Sequence, residues 1–486
     1  MADTYDLVVI GSGPAGQSAA ELAAFLGHSA LIVEQGEPGG AVTTTGGAPT
    51  KTLREVALAL ASDRRTAAND RGTRPLDDAL GVLRARTLAV CRSLQSGVRR
   101  QIEARGIAFV EGTARLSSNR EVVIDRSDGT QLSLTARAIV LATGSRPARA
   151  AGVPFDDPDI YDSNEIFTMP RLPDDIVIVG GGPVGVEFAT VFTALGVHVT
   201  LVDPNDQLLS NMDGELAGVM TEEFTRRGVT LILKARVASA FRRDGRLTVA
   251  LSNGAPLTPA AVLFAAGRAA NTAGLGLDRA GVEIDQRGRI VVDRYYQTTC
   301  PGIYAVGDAV APTLASIAMQ QGRAAVCHAL GLVFGVPVDR SASAAVYGLP
   351  ELAGVGATEE ETRQSGIPYV VGRADLSETA RGAIAGRGGR LKLIVRADDR
   401  KLLGVHCIGD IASELVGMGH VVLHLNGLVD VFLTLALNTP THSSAYRAAA
   451  IDAMEQLAVM AGRPAWTISQ SIASPVAARH PNGAAR

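Results

Sequence analysis

The chain has 486 residues, of which 47% are apolar and 20% charged, with 46 basic against 49 acidic side chains and a formal net charge of −3. That length predicts several domains rather than one core. A charge so close to neutral excludes a global basic field for nucleic acid or an anionic membrane. The local cluster Arg99, Arg100, Arg105 sits among helix-favouring residues and reads as a solvated helix face. The start, Met-Ala-Asp-Thr-Tyr-Asp, is acidic and does not fit a secretory leader. No apolar stretch reaches the length of a membrane span, so none is predicted. The four cysteines, Cys91, Cys300, Cys327 and Cys407, are far apart and form no CxxC pattern. They read as reduced thiols in a cytoplasm, with neither a disulfide framework nor a metal site.

The first predicted element is a strand at residues 7–10, an unbroken apolar run of the kind buried on both faces. It enters the loop Gly11-Ser12-Gly13-Pro14-Ala15-Gly16 and an alanine-rich amphipathic helix. In such a GxGxxG, Gly11 permits the tight turn, Gly13 lets a pyrophosphate approach the backbone, and Gly16 lets the helix pack closely on its strand. The helix N-terminus offers free N–H groups to phosphates. A second apolar run at residues 30–33 ends in Glu34, where a carboxylate can bind adenosine ribose hydroxyls. Residues 138–144 read as a buried strand ending in the turn Thr143-Gly144.

The same unit recurs further on. A strand at residues 176–179 enters Gly180-Gly181-Gly182-Pro183-Val184-Gly185, then a helix, then an apolar run closed by Asp203. Twenty-three positions separate Gly11 from Glu34, and the same number separate Gly180 from Asp203. This is an internal duplication of a βαβ unit. An acid at position 203 repels a 2′-phosphate and favours NAD(H) over NADP(H). Residues 261–267, closing at Gly267, are the counterpart of 138–144. Residues 302–308 read as another buried strand with Asp308 at its carboxyl end, before a helix-like run at 314–330. Asp308 is suited to a flavin ribityl hydroxyl, or else to supporting a helix N-terminus. Two dinucleotide sites in one chain imply a division of labour between a bound flavin and a diffusing nicotinamide. From residue 346 the pattern changes to mixed strands, such as 391–395 and 402–408, followed by helices. His198 and His406 lie in strand patterns and read as structural. The tail from Trp466 is rich in Ala, Ser and Pro and is expected to be partly disordered or to lie on a partner.

In this order, the motifs 11–16, Ala142-Thr143-Gly144, 180–187, Ala266-Gly267-Arg268 and 302–308 resemble the flavoprotein disulfide reductase family, with lipoamide dehydrogenase, glutathione reductase and mercuric reductase among its members. Two stretches, 370–381 and 445–450, are most similar to the transhydrogenase branch of that family. The resemblance implies an α/β protein of two Rossmann-like dinucleotide-binding domains plus a C-terminal α+β dimerisation domain. Residues 1–150 and 275–345 would hold FAD, 151–274 the NAD(P) site, and 346–465 the dimer contacts, leaving 466–486 as a tail. It also implies a homodimer in which the partner's C-terminal domain completes the active site. Lys51 matches the family lysine beside flavin N5, and Glu187 the acid paired with it.

The departures agree with one another. The family's CxxxxC positions fall on Val42 and Gly47, so no thiolate can form there. The partner's His-Pro…Glu dyad falls on Thr439 and Ser444, anchored by Pro440. What remains is a small, neutral lining of Thr43, Thr44, Thr45, Thr439, Ser443 and Ser444, whose hydroxyls cannot titrate near neutral pH. His442 is the one imidazole nearby and reads either as a displaced acid–base or as an interface histidine. The expected activity is hydride exchange between NAD(P)H and a small non-thiol organic substrate. A transhydrogenase and a non-catalytic flavin scaffold stand as alternatives.

Overall fold

The computed structural model describes residues 4–68, 79–334, 338 and 342–462. The proposed tail beyond residue 465 lies outside them. The chain divides into two compact units, Met1–Asp206 with Arg227–Arg340, and Gln207–Arg226 with Ser341–Arg486.

The first unit contains two sheets with parallel cores. In one, strand Thr4–Ile10 lies between Ala30–Glu34 and Gln131–Leu141, both parallel to it. Ala108–Glu111 extends the parallel side, and Ile303–Ala305 pairs with the end of Gln131–Leu141. Two antiparallel strands, Glu121–Asp125 and Thr113–Leu116, complete seven. Successive residues of the first strand feed opposite cores: Leu7 and Val9 on one face, Val8 and Ile10 on the other. That is why the segment reads as a continuous apolar run rather than an alternating one.

The helix Pro14–Phe25 buries a face of Ala15, Gly16, Ala19, Ala20 and Ala23. These small side chains let it approach both its strand and the helix Ala315–Ala329, where a Cβ on Gly322 would overlap the backbone of Ala15. The second sheet is wholly parallel. Its order is Thr230–Ile232, His198–Val202, Asp175–Val179, Ala261–Phe264, Ile160–Asp162. The acid-bearing segment near residue 308 differs from its expected form. The strand is only Ile303–Ala305, and Asp308 lies in a separate one-turn helix, Gly307–Ala309, since Gly307 at φ +68° breaks the extended backbone.

The second unit is built on a five-stranded antiparallel sheet. Its order is Ala344–Val346, Glu351–Gly356, Leu402–Gly409, Arg390–Arg396, Tyr369–Asp375. The helices Ala412–His424 and Ser444–Met460 pack on it around a fully buried Tyr446. The Tyr446 hydroxyl donates to the Leu415 carbonyl (2.8 Å) and accepts from Gly419 N–H (3.1 Å). Along Arg390–Arg396 the side chains alternate: Leu391, Leu393 and Val395 enter this core, and Lys392 faces the other side. There it meets Asp213, Glu215 and Glu359. These ion pairs explain a difference from the sequence-based division. The helix Gly214–Arg226, although flanked in sequence by the second parallel sheet, clusters with the C-terminal unit. Among the described residues no helix is long and apolar enough to cross a membrane, and no His, Cys, Asp and Glu cluster could hold a metal ion.

Candidate active site

The two glycine loops share one geometry. Gly11 sits at φ +106° and Gly180 at φ +112°, both in the region that favours glycine. A Cβ at either would collide with the facing turn, at Ala142 and Ala265 respectively. Gly16 and Gly185 lie against the carbonyl oxygens of Gly11 and Gly180, where a Cβ would overlap them. By contrast, a Cβ on Gly13 or Gly182 would meet nothing within 4 Å. Each of these two is the extended N-cap of a helix that begins with proline and has no side-chain cap. Each loop thus leaves open space beside a bare glycine backbone and first-turn N–H groups without a side-chain cap, which fits a dinucleotide pyrophosphate.

The acids expected to hold ribose also brace these loops. Glu34 Oε2 accepts from Ser12 N–H (2.8 Å) and Ser12 Oγ (2.7 Å). Its Oε1 accepts from Gly36 N–H (2.9 Å). Asp203 repeats the pattern with Gly181 N–H (2.6 Å) and Asn205 N–H (2.8 Å). The role of Ser12 has no signal in the motif, because any residue can occupy that position of GxGxxG.

Lys51 and Glu187 are 136 residues apart, yet Lys51 Nζ donates to Glu187 Oε2 at 2.8 Å. Lys51 Nζ also donates to Thr50 Oγ (3.2 Å), which lies within hydrogen-bond distance of the same Glu187 oxygen (3.2 Å) and of the Gly46 and Gly47 carbonyls (3.1 Å each). The helix Ala48–Ala68 brings the lysine and the helix Pro183–Ala194 the acid, joined by a small core of Ala57, Leu83, Val191 and Leu195. Glu187 is 9% exposed and Lys51 31%. The carboxylate is thus buried while the ammonium keeps partial solvent exposure.

Just before this helix stands the turn Ala41–Thr44. Val42 and Gly47 are in direct contact, and a Cβ on Gly47 would lie 2.7 Å from both Val42 Cα and its carbonyl oxygen. The room a second side chain would need has closed. Thr43 is buried and donates to Pro38 O (2.7 Å), and Thr44 donates to Gly40 O (3.0 Å). Their hydroxyl protons are committed to the backbone, so these groups offer a ligand lone pairs rather than protons.

Asp308 is part of a junction that the motif alone did not reveal. Its Oδ1 accepts from Thr313 N–H (2.9 Å), and its Oδ2 from Ser145 Oγ. Arg268 Nε lies 3.5 Å from the same oxygen. Nearby, Thr143 Oγ donates to Asn271 O (2.7 Å), Asn271 Nδ2 donates to Thr143 O (3.0 Å), and Asn271 N–H donates to Gly144 O (3.0 Å). Gly267 at φ +123° turns the chain between strands Ala261–Phe264 and Arg268–Ala270.

The remaining expected site residues belong to the second unit. His442 is buried, with Nδ1 3.0 Å from Thr379 Oγ. Burial lowers its pKa from the usual histidine value, which favours the neutral ring. Thr439 is exposed, Ser443 is half-buried at the start of helix Ser444–Met460, and Ser444 Oγ donates to Thr441 O (3.0 Å). All four cysteines are free and buried, and burial pushes the Cys407 thiol up to about 12.

Two dinucleotide cradles beside a Lys–Glu pair define a flavin- and nicotinamide-linked oxidoreductase. Family comparison agrees. Residues 5–322 match the pyridine nucleotide-disulphide oxidoreductase family and 342–450 its dimerisation domain, and the chain belongs to that family. It is an FAD-dependent NAD(P)H oxidoreductase. Among similar proteins is the soluble pyridine nucleotide transhydrogenase of Mycobacterium tuberculosis, 39% identical over 461 residues, spanning 93% of this chain and 98% of that one. The Pseudomonas putida protein of the same name is 33% identical over 473 residues, spanning 93% and 99%. Among solved structures, LpdA from Mycobacterium tuberculosis is similar at a TM-score of 0.84 and 28% identity, covering 91% of this chain and 98% of that one. The HOCl-induced flavoprotein disulfide reductase RclA from Escherichia coli is similar at 0.80 and 26%, covering 91% and 98%.

Proposed function

We propose that this enzyme passes hydride between NADH and a non-thiol organic acceptor or donor, without a redox disulfide. The observation that carries the reading is the intact Lys51–Glu187 pair beside a closed Val42–Gly47 contact. The cation that serves a flavin ring is kept, while the place for a dithiol is not. FAD, held by residues 1–150 and 275–345, supplies a two-electron centre that takes and returns hydride. Lys51 offers positive charge where negative charge gathers, and Glu187 with Thr50 keeps its ammonium in place. Residues 151–274 bind the nicotinamide nucleotide, and Asp203 favours NAD(H) by repelling a 2′-phosphate. The working form is a homodimer in a reducing cytoplasm, with the C-terminal sheet unit making the contact.

A second reading takes the acceptor to be another nicotinamide nucleotide, that is, a transhydrogenase. The relatives at 39% and 33% identity favour it, and it too needs no thiol.

The test is anaerobic reduction of the yellow protein by NADH, followed by either an oxidised nicotinamide analogue or a panel of quinones and enones. Bleaching followed by fast recovery with the organic acceptors alone supports the first reading. Fast recovery with the analogue supports the second. Absence of bleaching by NADH and by NADPH refutes both. Exchange of Asp203→Ala is expected to narrow the NADH-over-NADPH ratio in kcat/KM by about tenfold or more. An unchanged ratio would remove Asp203 as the selecting group.

A further inference from the structure

Three separate stretches of the first unit meet at Asp308. Ser145 opens the short strand Ser145–Pro147, which follows the first parallel sheet. Arg268 opens Arg268–Ala270, which follows the second, and these two strands pair antiparallel. Asp308 lies in the turn after Ile303–Ala305.

The hydrogen bonds run in one direction. Arg268 Nε donates to Ser145 Oγ (2.6 Å) and Nη2 donates to Ser145 O (2.7 Å). A guanidinium cannot accept, so the Ser145 hydroxyl proton is directed to Asp308 Oδ2. The guanidinium also lies 3.5 Å from that oxygen, placing positive charge behind it. With Thr313 N–H on Oδ1, the carboxylate is fixed at both oxygens. Each oxygen retains lone-pair capacity for another donor, and a chain of this kind polarises its members in the same sense.

We propose that Arg268 is a positioning residue for flavin binding, acting through Ser145 to hold the Asp308 carboxylate in the orientation that receives a ribityl hydroxyl. The inference rests on the reading of Asp308 as the ribityl acceptor. It gives a segment that follows the nicotinamide-type sheet a direct part in flavin affinity. Lysine at this position keeps the charge but not the planar fork that spans the serine hydroxyl and carbonyl.

A double-mutant cycle on flavin dissociation, read from the recovery of free-flavin fluorescence, tests this without reference to turnover. Asp308→Asn and Arg268→Ala are each expected to weaken flavin binding by about tenfold or more. The combined variant should be no weaker than Asp308→Asn alone, because Arg268 acts through that carboxylate. Arg268→Lys should recover only part of the loss. Additive losses in the double variant, or full affinity in Arg268→Ala, would overturn the proposal and leave the ribityl reading intact. Full affinity in Asp308→Asn would overturn that reading, and the proposal with it. Should Arg268→Ala not fold, as judged by circular dichroism of the flavin-free protein, Ser145→Ala carries the same expectation in the same cycle.

Discussion

Replacing Lys392 by methionine is expected to destabilise the C-terminal unit by about 3 kcal/mol, at the lower end of the range for breaking a buried ion pair. The lysine side chain has no solvent exposure, and its Nζ lies 3.0 Å from Asp213, 3.0 Å from Glu215 and 2.6 Å from Glu359. Glu215 would keep Arg373 and Arg390, and Glu359 would keep Arg363 and Arg373. Among the described residues, Asp213, itself fully buried, would keep the longer backbone contacts to Leu216 N–H (3.4 Å) and Glu359 N–H (3.3 Å). The penalty is therefore chiefly that of one uncompensated buried carboxylate. At about 2–4 °C per kcal/mol, the unfolding midpoint should fall by about 6–12 °C, measured by circular dichroism.

The pH dependence supplies a second, sign-sensitive readout. Burial by itself would raise the Glu215 pKa, but hydrogen bonds from Arg373 and Lys392 overcome it and lower the value to about 2. A depressed carboxylate contributes stability above its unfolded value that is lost as pH falls through the folded one. The native protein should thus lose this contribution between about 4.5 and about 2. In Lys392→Met, Glu215 keeps Arg373 but loses its hydrogen bond from Lys392, so part of this acid-range contribution should be missing from the variant. A midpoint within about 2 °C of the native protein, with an unchanged pH profile, would refute the reasoning. It would mean that the carboxylates rehydrate when the lysine is gone.

Other substitutions separate folding from binding. Gly16→Ala should disrupt the first dinucleotide module, since its methyl overlaps the Gly11 carbonyl, whereas Gly13→Ala meets no protein atom within 4 Å. Gly13→Ala should therefore fold with a native melting curve yet retain little flavin in absorbance spectra. Gly47→Cys is expected to lower stability by about 1–3 kcal/mol, as overpacking does, because its Cβ would press on the Val42 backbone. A urea midpoint equal to the native one would show that the turn yields freely. Glu187→Gln should slow flavin reduction by NADH in stopped-flow absorbance, because Lys51 Nζ loses its charged partner at 2.8 Å. An unchanged rate would show that the Glu187 charge is not needed to hold Lys51 in its working position.

The periodicity and spacing of the chain determined the local units. Each βαβ element is coded by contiguous residues: an apolar run buried on both faces, glycines where a Cβ would strike backbone, and an acid twenty-three residues on. The Val42 and Gly47 substitutions were legible for the same reason, because losing a thiol is a property of the residue itself. What only the tertiary structure decided are the encounters between distant residues. Lys51 meets Glu187 across 136 positions, and Ser145 meets Asp308 across 163. Lys392 claims Asp213 across 179, drawing the helix Gly214–Arg226 into the C-terminal unit. The threonines beside the glycine turn read in sequence as a small neutral lining, and only the structure shows that the Thr43 and Thr44 hydroxyl protons go to the Pro38 and Gly40 carbonyls. Hydrogen bonds and buried charges are satisfied by proximity in space, and the fold alone specifies which groups become neighbours.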